Sequence, residues 1–238
     1  MMKAKTLGVL GGMGPFATSV FFERVIDRTK AGKDQEHLDM VILNHASLPD
    51  RTQSIMNNVK QPFLQLIKQD IVILEQAGVA HIAIPCNTTH YFYEDIQAIT
   101  NIPVIHMIKS TVQHVHKRVG NNKRVAVLAT DGTIKSNVYQ EEIMEAGMQL
   151  HELEDTIQKK VMDIIYHVKS NNSFKTEALD AIIDQLVHHH HCDIIILACT
   201  ELSTITLEEK NKSYCVDALD ILVQESIIQS GKQLKDRD

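Results

Sequence analysis

The chain has 238 residues, 44% of them apolar, and a formal net charge of −6 at pH 7. The apolar content can fill the core of one large domain or two ordinary ones, and the negative charge disfavours nucleic acids and anionic membrane surfaces as partners. No apolar run is long enough to span a membrane, and the N-terminus lacks a signal-peptide pattern. We therefore expect a cytoplasmic protein that binds a small molecule.

The first half of the chain alternates short apolar runs with segments of helical periodicity. A glycine-rich turn, Gly11–Gly14, separates the first predicted strand from a helix that starts at Pro15. The predicted strands are 6–10, 38–43, 79–84 and 103–106, and the predicted helices are 15–30, a segment around 63–74, and 89–100. Such alternation indicates a parallel sheet with helices on both faces.

The second half repeats this order. Its predicted strands are 124–129, 148–153, 193–198 and 214–216, with helices over 134–146 and around 179–186. Leu128 follows Leu10 by 118 positions, Cys199 follows Cys86 by 113, and the last strand follows 103–105 by 111. We therefore predict two similar parallel-sheet α/β lobes related by a pseudo-twofold duplication, with boundaries at 1–105 plus 217–238 and at 106–216.

Two of the four cysteines follow matching strands. Cys86 ends one apolar run and Cys199 ends its counterpart, and each is followed by threonines in a polar turn. Ligands of parallel α/β sheets bind beyond the carboxyl ends of the strands, where a helix N-terminus lowers a thiol pKa. Both cysteines are thus candidate acid–base groups, whereas Cys192 and Cys215 are expected to be core thiols. With no C-x-x-C pair, we expect neither disulfides nor a zinc site.

A pair of cations also recurs in the two halves. Arg51 and Lys160 each follow the second predicted strand of their half. An arginine can form a forked contact with a carboxylate, and a lysine can add a point charge to the same group. A dicarboxylate ligand follows from this pair.

Two other patterns carry less weight. The glycine turn lacks G-x-G-x-x-G spacing and the acidic residue that would bind a ribose, so we do not expect dinucleotide binding, although its N–H groups could hold a substrate carboxylate. The run His188–His191 is expected to end a helix rather than to bind a metal.

With these motifs in hand, the sequence resembles the cofactor-independent aspartate/glutamate racemases, and most closely the aspartate racemases. The resemblance spans nearly the whole chain and is carried by the segments 10–14, 49–52, 86–90 and 199–202. Glutamate racemases have a histidine after the second Cys-Thr, where this chain has Glu201, which favours the aspartate branch.

The resemblance implies a substrate site in the cleft between two lobes, no cofactor or metal, and a homodimer. It implies that Cys86 and Cys199 are catalytic and that Arg51 and Lys160 hold the distal carboxylate. The remaining implied site residues are Met13, which lines the pocket, and the groups that hold the α-amino and α-carboxylate groups, namely Asn87, Thr88, Thr130 and Thr200.

The function predicted from the sequence is therefore racemisation of aspartate by a two-base, two-cysteine transfer of the α-proton. One group of alternatives is a related cysteine-pair enzyme that acts on glutamate, a broader range of amino acids, hydantoins or maleate. A different alternative is a non-catalytic two-lobe protein that binds a small ligand, which the pair of cysteines disfavours.

Overall fold

The computed structural model describes residues 5–171 and 176–236. The elements of the first part of the chain are β1 Leu7–Gly11, α1 Pro15–Arg28, β2 Met40–Asn44, α2 Arg51–Met56, α3 Gln61–Gln76, β3 His81–Ala83 and α4 Tyr93–Gln97. Short 3₁₀ turns cover Asp34–Glu36 and Thr88–Phe92.

The remaining elements complete a second set of strands and helices. They are α5 Met107–Val119, β4 Arg124–Leu128, α6 Asp131–Lys135, α7 Val138–Glu145, β5 Gln149–His151, α8 Asp155–Asn171, α9 Thr176–His188, β6 Ile194–Leu197, a 3₁₀ turn Leu202–Thr204, α10 Glu209–Lys212, β7 Cys215–Asp217 and α11 Ala218–Gln229.

The chain divides into two compact units, one formed by Met1–Met107 with Asp220–Asp238 and the other by Ile108–Leu219. We call them the N-terminal unit and the central unit. In the N-terminal unit, contacts such as the ion pair between Arg28 and Asp220, 3.1 Å, and the hydrogen bond between Ser230 Oγ and His81 Nε2, 3.0 Å, tie the end of the chain to α1 and β3.

Each unit contains a parallel sheet. The order is β2-β1-β3 in the N-terminal unit and β5-β4-β6-β7 in the central unit. Val104 forms a single parallel bridge to Ile82 in β3, at the position that β7 takes beside β6. The two sheets share one strand order, which confirms the predicted α/β class and the repeat.

Helices cover the sheets with apolar faces. In the N-terminal unit Phe63, Ile67, Ile71 and Leu74 of α3 recur at helical spacing and are fully buried. In the central unit the buried faces of α8 and α9 pack against β4 and β6 in one core cluster. The core of each unit therefore supports the strands that lead to its candidate site.

The structure differs from the sequence predictions in three elements. Residues 103–106 form only the bridge at Val104, because Pro103 has no N–H to donate to a ladder and α5 begins at Met107. The helix predicted at 89–100 begins as a 3₁₀ turn, and the one predicted at 134–146 is broken at Asn137, which has a left-handed φ of 58°.

Helices α2, α5, α8 and α10 were not predicted. Arg51 is the first residue of α2, whose N-cap Asp50 accepts a hydrogen bond from the Gln53 N–H, 2.8 Å. Within the described residues, no helix combines the length and apolar content needed to cross a bilayer. The signal-peptide expectation rests partly on residues 1–4, which lie outside the described residues.

Candidate active site

Cys86 lies just beyond β3 and its loop is anchored by His90. The thiol is buried, and the Cys86 carbonyl lies 2.9 Å from His90 Nδ1. The Met107 N–H donates to His90 Nε2, 3.1 Å, so this ring nitrogen is the acceptor and Nδ1 donates to the Cys86 carbonyl. Burial lowers the pKa of His90 to about 4, so the neutral ring makes both bonds near neutral pH. Asn87 and Thr88, which follow the thiol, are also buried.

Met13 joins the glycine turn to the Cys86 loop. The Thr89 hydroxyl donates to Met13 Sδ, 3.3 Å, in a buried contact. The turn itself is packed closely: a Cβ on Gly12, whose φ is 93°, would lie 2.4 Å from the His45 backbone. Because the Gly12 N–H already donates to Thr18 Oγ1, 2.9 Å, this glycine serves the packing of the turn.

Arg51 is held beside Met13 by main-chain carbonyls. Its guanidinium donates to the carbonyls of Pro49, 2.9 Å, and Met13, 3.4 Å. Within the part of the chain that the structure describes, the buried Nε of Arg51 has no hydrogen-bond partner. The structure thus brings Met13, Arg51 and the Cys86 loop together in the N-terminal unit.

Cys199 lies beyond β6 and donates a hydrogen bond to a carboxylate. Its Sγ lies 2.9 Å from Glu201 Oε2, and the Thr200 hydroxyl lies 3.3 Å from the same oxygen. All three residues are buried. Sequence reasoning used Glu201 only as a family marker and missed its contact with the thiol, which requires the turn geometry.

Burial, and then the Glu201 carboxylate, raise the pKa of the Cys199 thiol well above its ordinary value. The predicted lowering of the pKa by a helix N-terminus is therefore wrong for Cys199. The physical reason is that only a three-residue 3₁₀ turn, Leu202–Thr204, follows this cysteine, and such a turn has few aligned peptide dipoles to oppose desolvation.

Thr130 lies at the same sheet edge as Cys199. Leu128 of β4 pairs with Leu197 of β6, and the Ala198 N–H donates to the Leu128 carbonyl, 2.9 Å, so the chain leaves both strands side by side. The buried Thr130 is the N-cap of α6 and accepts from the Thr133 N–H, 3.3 Å. Thr130, Thr200 and Cys199 are thus collected at one edge of the central unit.

Two lysines of α8, the predicted site residue Lys160 and Lys169, have different surroundings. Lys160 is exposed, whereas Lys169 Nζ lies 3.9 Å from Glu201 Oε1 with its side chain 32% exposed. The two residues are separated by nine positions, about 180° around an α-helix, with the buried stripe that contains Val161 and Val168 between them. The structure places Lys169 near Glu201 and leaves Lys160 exposed on the opposite side of the helix. The sequence analysis could not distinguish the two lysines in this way because it did not predict α8.

The remaining cysteines are buried or partly buried, whereas His188, His189 and His191 of the histidine run are exposed. Burial raises the pKa of Cys192 to about 11 and that of Cys215 to about 12. Helix α9 ends at His188, the first histidine of the run, as predicted, and the ring of His190 packs on that of His151 with centroids 4.9 Å apart. Among residues 5–171 and 176–236, no three His, Cys, Asp or Glu side chains are grouped as metal ligands.

Comparisons with known proteins show the family of this chain. The profile of the Asp/Glu/Hydantoin racemase family matches residues 10–226. The broad specificity amino-acid racemase RacX of Bacillus subtilis (strain 168) is 30% identical over 227 residues, which are 93% of this chain and 96% of RacX.

Solved structures extend the comparison. The Picrophilus torridus aspartate racemase superposes with a TM-score of 0.82 and 30% identity, covering 97% of this chain and 96% of that one. The glutamate racemase of Francisella tularensis subsp. tularensis SCHU S4, solved in complex with D-glutamate, has a TM-score of 0.65 at 18% identity, covering 99% and 85%, and shares the fold.

The family match, together with the full-length relative and the shared fold, shows an isomerase of the racemase class. The chain belongs to the Asp/Glu/Hydantoin racemase family and is an amino-acid racemase.

Proposed function

We propose that the protein interconverts L- and D-aspartate by a two-base transfer of the α-proton between Cys86 and Cys199, without a cofactor. The observation that carries the proposal is the equivalent placement of the two thiols, each beyond a strand in the same position of its sheet, β3 and β6. Inversion at Cα removes a proton from one face and adds a proton to the other. Two thiols satisfy this requirement when each addresses one face.

The proposed step transfers one proton from Cα to one cysteine and one proton from the other cysteine to Cα. One cysteine starts as a thiolate and takes the proton from Cα, while the other starts as a thiol and donates its proton to the opposite face. The electron pair of the broken C–H bond forms the new one, and the donor becomes a thiolate. The reverse direction uses the exchanged protonation states.

The carbanion must be stabilised by fixed dipoles and charges, because the proposal includes no cofactor as electron sink. The buried hydroxyl and amide groups of Asn87, Thr88, Thr130 and Thr200 are proposed to hold the α-amino and α-carboxylate groups. They lie at the carboxyl edges of the two sheets, next to the two thiols. Met13 is proposed to line the pocket through its contact with Thr89.

The distal carboxylate of aspartate is proposed to bind Arg51. The main-chain bonds that orient its guanidinium, and its unpartnered buried Nε within the described chain, support a cation held ready for an anion. The second cation predicted from the sequence is Lys160, but the position of Lys169 near Cys199 supports Lys169 for this role. Both assignments are compared by mutation below.

A second candidate function is racemisation of several amino acids. The observation that favours it is the 30% identity to the broad specificity racemase RacX over nearly the full length of both chains. A binding pocket that tolerates several side chains would need little from Arg51, so the two functions differ in how activity depends on this residue.

The test is an incubation of the purified protein with single L-amino acids in heavy water, without pyridoxal phosphate and after chelator treatment. Chiral chromatography with mass detection measures the product and its deuterium content. We expect D-aspartate that is deuterated at Cα from the first turnover, while the remaining L-aspartate stays protiated early. Equal rates with alanine, glutamate and aspartate would support the broad-specificity candidate, and protium retained in the early product would exclude the two-base mechanism.

The family resemblance also leads us to propose a homodimer that acts on a small dicarboxylic amino acid. Light scattering coupled to size-exclusion chromatography measures the mass directly, and a single monomeric species over the assay concentrations would contradict this part of the proposal.

A further inference from the structure

Glu201 is a buried carboxylate in direct contact with a proposed catalytic thiol. Its side chain is 7% exposed, and its Oε2 accepts hydrogen bonds from Cys199 Sγ, 2.9 Å, and from Thr200 Oγ1, 3.3 Å. A carboxylate in such a position costs free energy unless donors surround it. Two of its donors are the side chains that precede it in the same turn.

Three further elements, α7, α8 and β7, place a titratable side chain near Cys199 or its neighbours. Lys169 of α8 lies 3.9 Å from Glu201 Oε1, which is beyond hydrogen-bond distance, and its charge favours the Cys199 thiolate. Tyr139 of α7 is fully buried, and Cys199 and Asp217 are among the groups that raise its pKa. Desolvation and the Glu201 carboxylate disfavour a negative sulfur at Cys199, whereas the partly exposed Lys169 and a hydrogen bond from the Glu201 backbone favour it.

We propose that Glu201 is a positioning residue that retains and orients the proton of Cys199, so that Cys199 is the acid of the free enzyme and Cys86 is its base. This inference rests on the proposed two-cysteine function. In the corresponding direction Cys86 takes the proton of Cα and the S–H bond of Cys199 breaks to supply the opposite face. The resulting Cys199 thiolate then recovers a proton, and Cys86 loses one, through water.

The turn after Cys86 differs from that after Cys199 because no charged side chain follows the thiol within three residues. Its loop is held through the backbone carbonyl by the neutral His90, and Asn87, Thr88 and Thr89, which are uncharged, follow it. Residue Thr88 occupies the place in the turn that Glu201 occupies after Cys199. The duplication therefore preserved the thiol and changed its neighbour two positions on.

This asymmetry does not produce a preferred direction. Two enantiomers have equal free energy, so kcat/KM must be the same in both directions at every pH. The effect of Glu201 lies in the protonation of the free enzyme and in the upper limit of the active pH range, where Cys199 loses the proton that catalysis needs.

The experiment measures the two thiols separately and needs no substrate. The native protein is alkylated with iodoacetamide from about pH 6 to about pH 10, and peptide mass spectrometry gives the rates at Cys86 and Cys199. In Glu201→Gln we expect the rise in Cys199 alkylation to move to a lower pH by about one unit or more, because a negative neighbour is removed. The profile of Cys86 should stay in place, as should both profiles in Glu145→Gln, an exposed glutamate of α7.

Two further variants, one with a shift of opposite sign and one with no shift expected, protect the test against misfolding of Glu201→Gln. Lys169→Met removes the cation that favours the thiolate, so the alkylation rate of Cys199 should rise at a higher pH than in the wild type. Glu201→Asp keeps the negative charge, so this rise should stay at the wild-type pH. A Cys199 profile that is unchanged in both Glu201→Gln and Lys169→Met overturns the proposal.

Activity provides the readout that separates this inference from the proposed function. In Glu201→Gln the alkaline limb of kcat/KM should move to lower pH equally for L- and D-aspartate, while a loss of the same factor at every pH would indicate a purely structural role and overturn the assignment. If the wild-type protein does not racemise aspartate but the alkylation profiles shift as described, the proposed function fails and the role of Glu201 in holding the proton stands.

Discussion

The two candidate thiols occupy equivalent places in two sheets of one strand order, but they have unlike neighbours. Cys86 lies in a loop fastened through its backbone carbonyl to a neutral histidine, whereas Cys199 donates its own hydrogen to a buried carboxylate. The comparison teaches that a repeated topology determines where a side chain emerges, while the few residues of the following turn determine its protonation. Strand pairing is backbone chemistry and survives sequence divergence; a pKa depends on the nearest charges.

The comparison is tested most severely by removing one thiol at a time. Cys86→Ala and Cys199→Ala should each lower racemisation by about 10³-fold or more, because each face of Cα then lacks its acid or base. Cys192→Ala is the matched control, since this thiol is buried next to β6 but lies at the amino end of the strand. Initial rates by chiral chromatography decide the point; appreciable racemisation by either of the first two variants contradicts two-base catalysis.

The next effect concerns the cation of the N-terminal unit. Arg51→Leu should lower kcat/KM for aspartate by about 10²-fold, because a charge-assisted contact to the distal carboxylate is lost. With alanine, which has no distal carboxylate, the same variant should change the rate much less if alanine is turned over at all. Full aspartate activity in Arg51→Leu would show that the substrate carboxylate binds elsewhere.

The histidine anchor of the Cys86 loop predicts a pH dependence of stability. Burial lowers the pKa of His90 from 6.5 to about 4, so the unfolded chain binds a proton at a higher pH than the folded protein does. The contribution of His90 to the free energy of unfolding is present above pH 6.5 and decreases as the pH falls toward 4. Between pH 7 and pH 5 this decrease is about 2 kcal/mol.

Urea unfolding at these two pH values measures this contribution. In His90→Gln the decrease between pH 7 and pH 5 should be smaller by about 2 kcal/mol, although the variant is also less stable at pH 7. His189→Gln, at an exposed histidine at the end of α9, should retain the wild-type decrease. The same decrease in all three proteins would mean that His90 is not the group that titrates.

The smallest predicted difference compares the two lysines of α8. Lys169→Met should raise KM for aspartate and lower kcat/KM by about 10-fold, because a charge near Cys199 and the substrate is lost. Lys160→Met, on the opposite border of the buried stripe, should have nearly wild-type kinetics. If Lys160→Met loses more activity than Lys169→Met, then Lys160, the lysine expected from the sequence, binds the substrate.

Much of this protein could be predicted from the sequence alone, for a physical reason. Buried parallel strands need continuous apolar runs, and the turns after them need glycine, proline or short polar residues. The runs that end near Gly11, Cys86 and Cys199 therefore indicated the alternating α/β order, the repeat and the edge where both thiols emerge. The two cysteines and Arg51 were singled out in this way because each follows a predicted strand, whereas Met13 was named only from the family resemblance.

Tertiary structure alone decided the surroundings of those residues. Through His90 the Cys86 loop is bonded to Met107, 17 positions beyond the histidine. The break at Asn137 depends on a left-handed backbone angle that no periodicity reveals. The different surroundings of Lys160 and Lys169 depend on the rotation of α8 about its axis. The raised pKa of Cys199 required knowing that the adjacent turn aims Glu201 at the sulfur while both are buried, because desolvation and charge act through distance and not through sequence position.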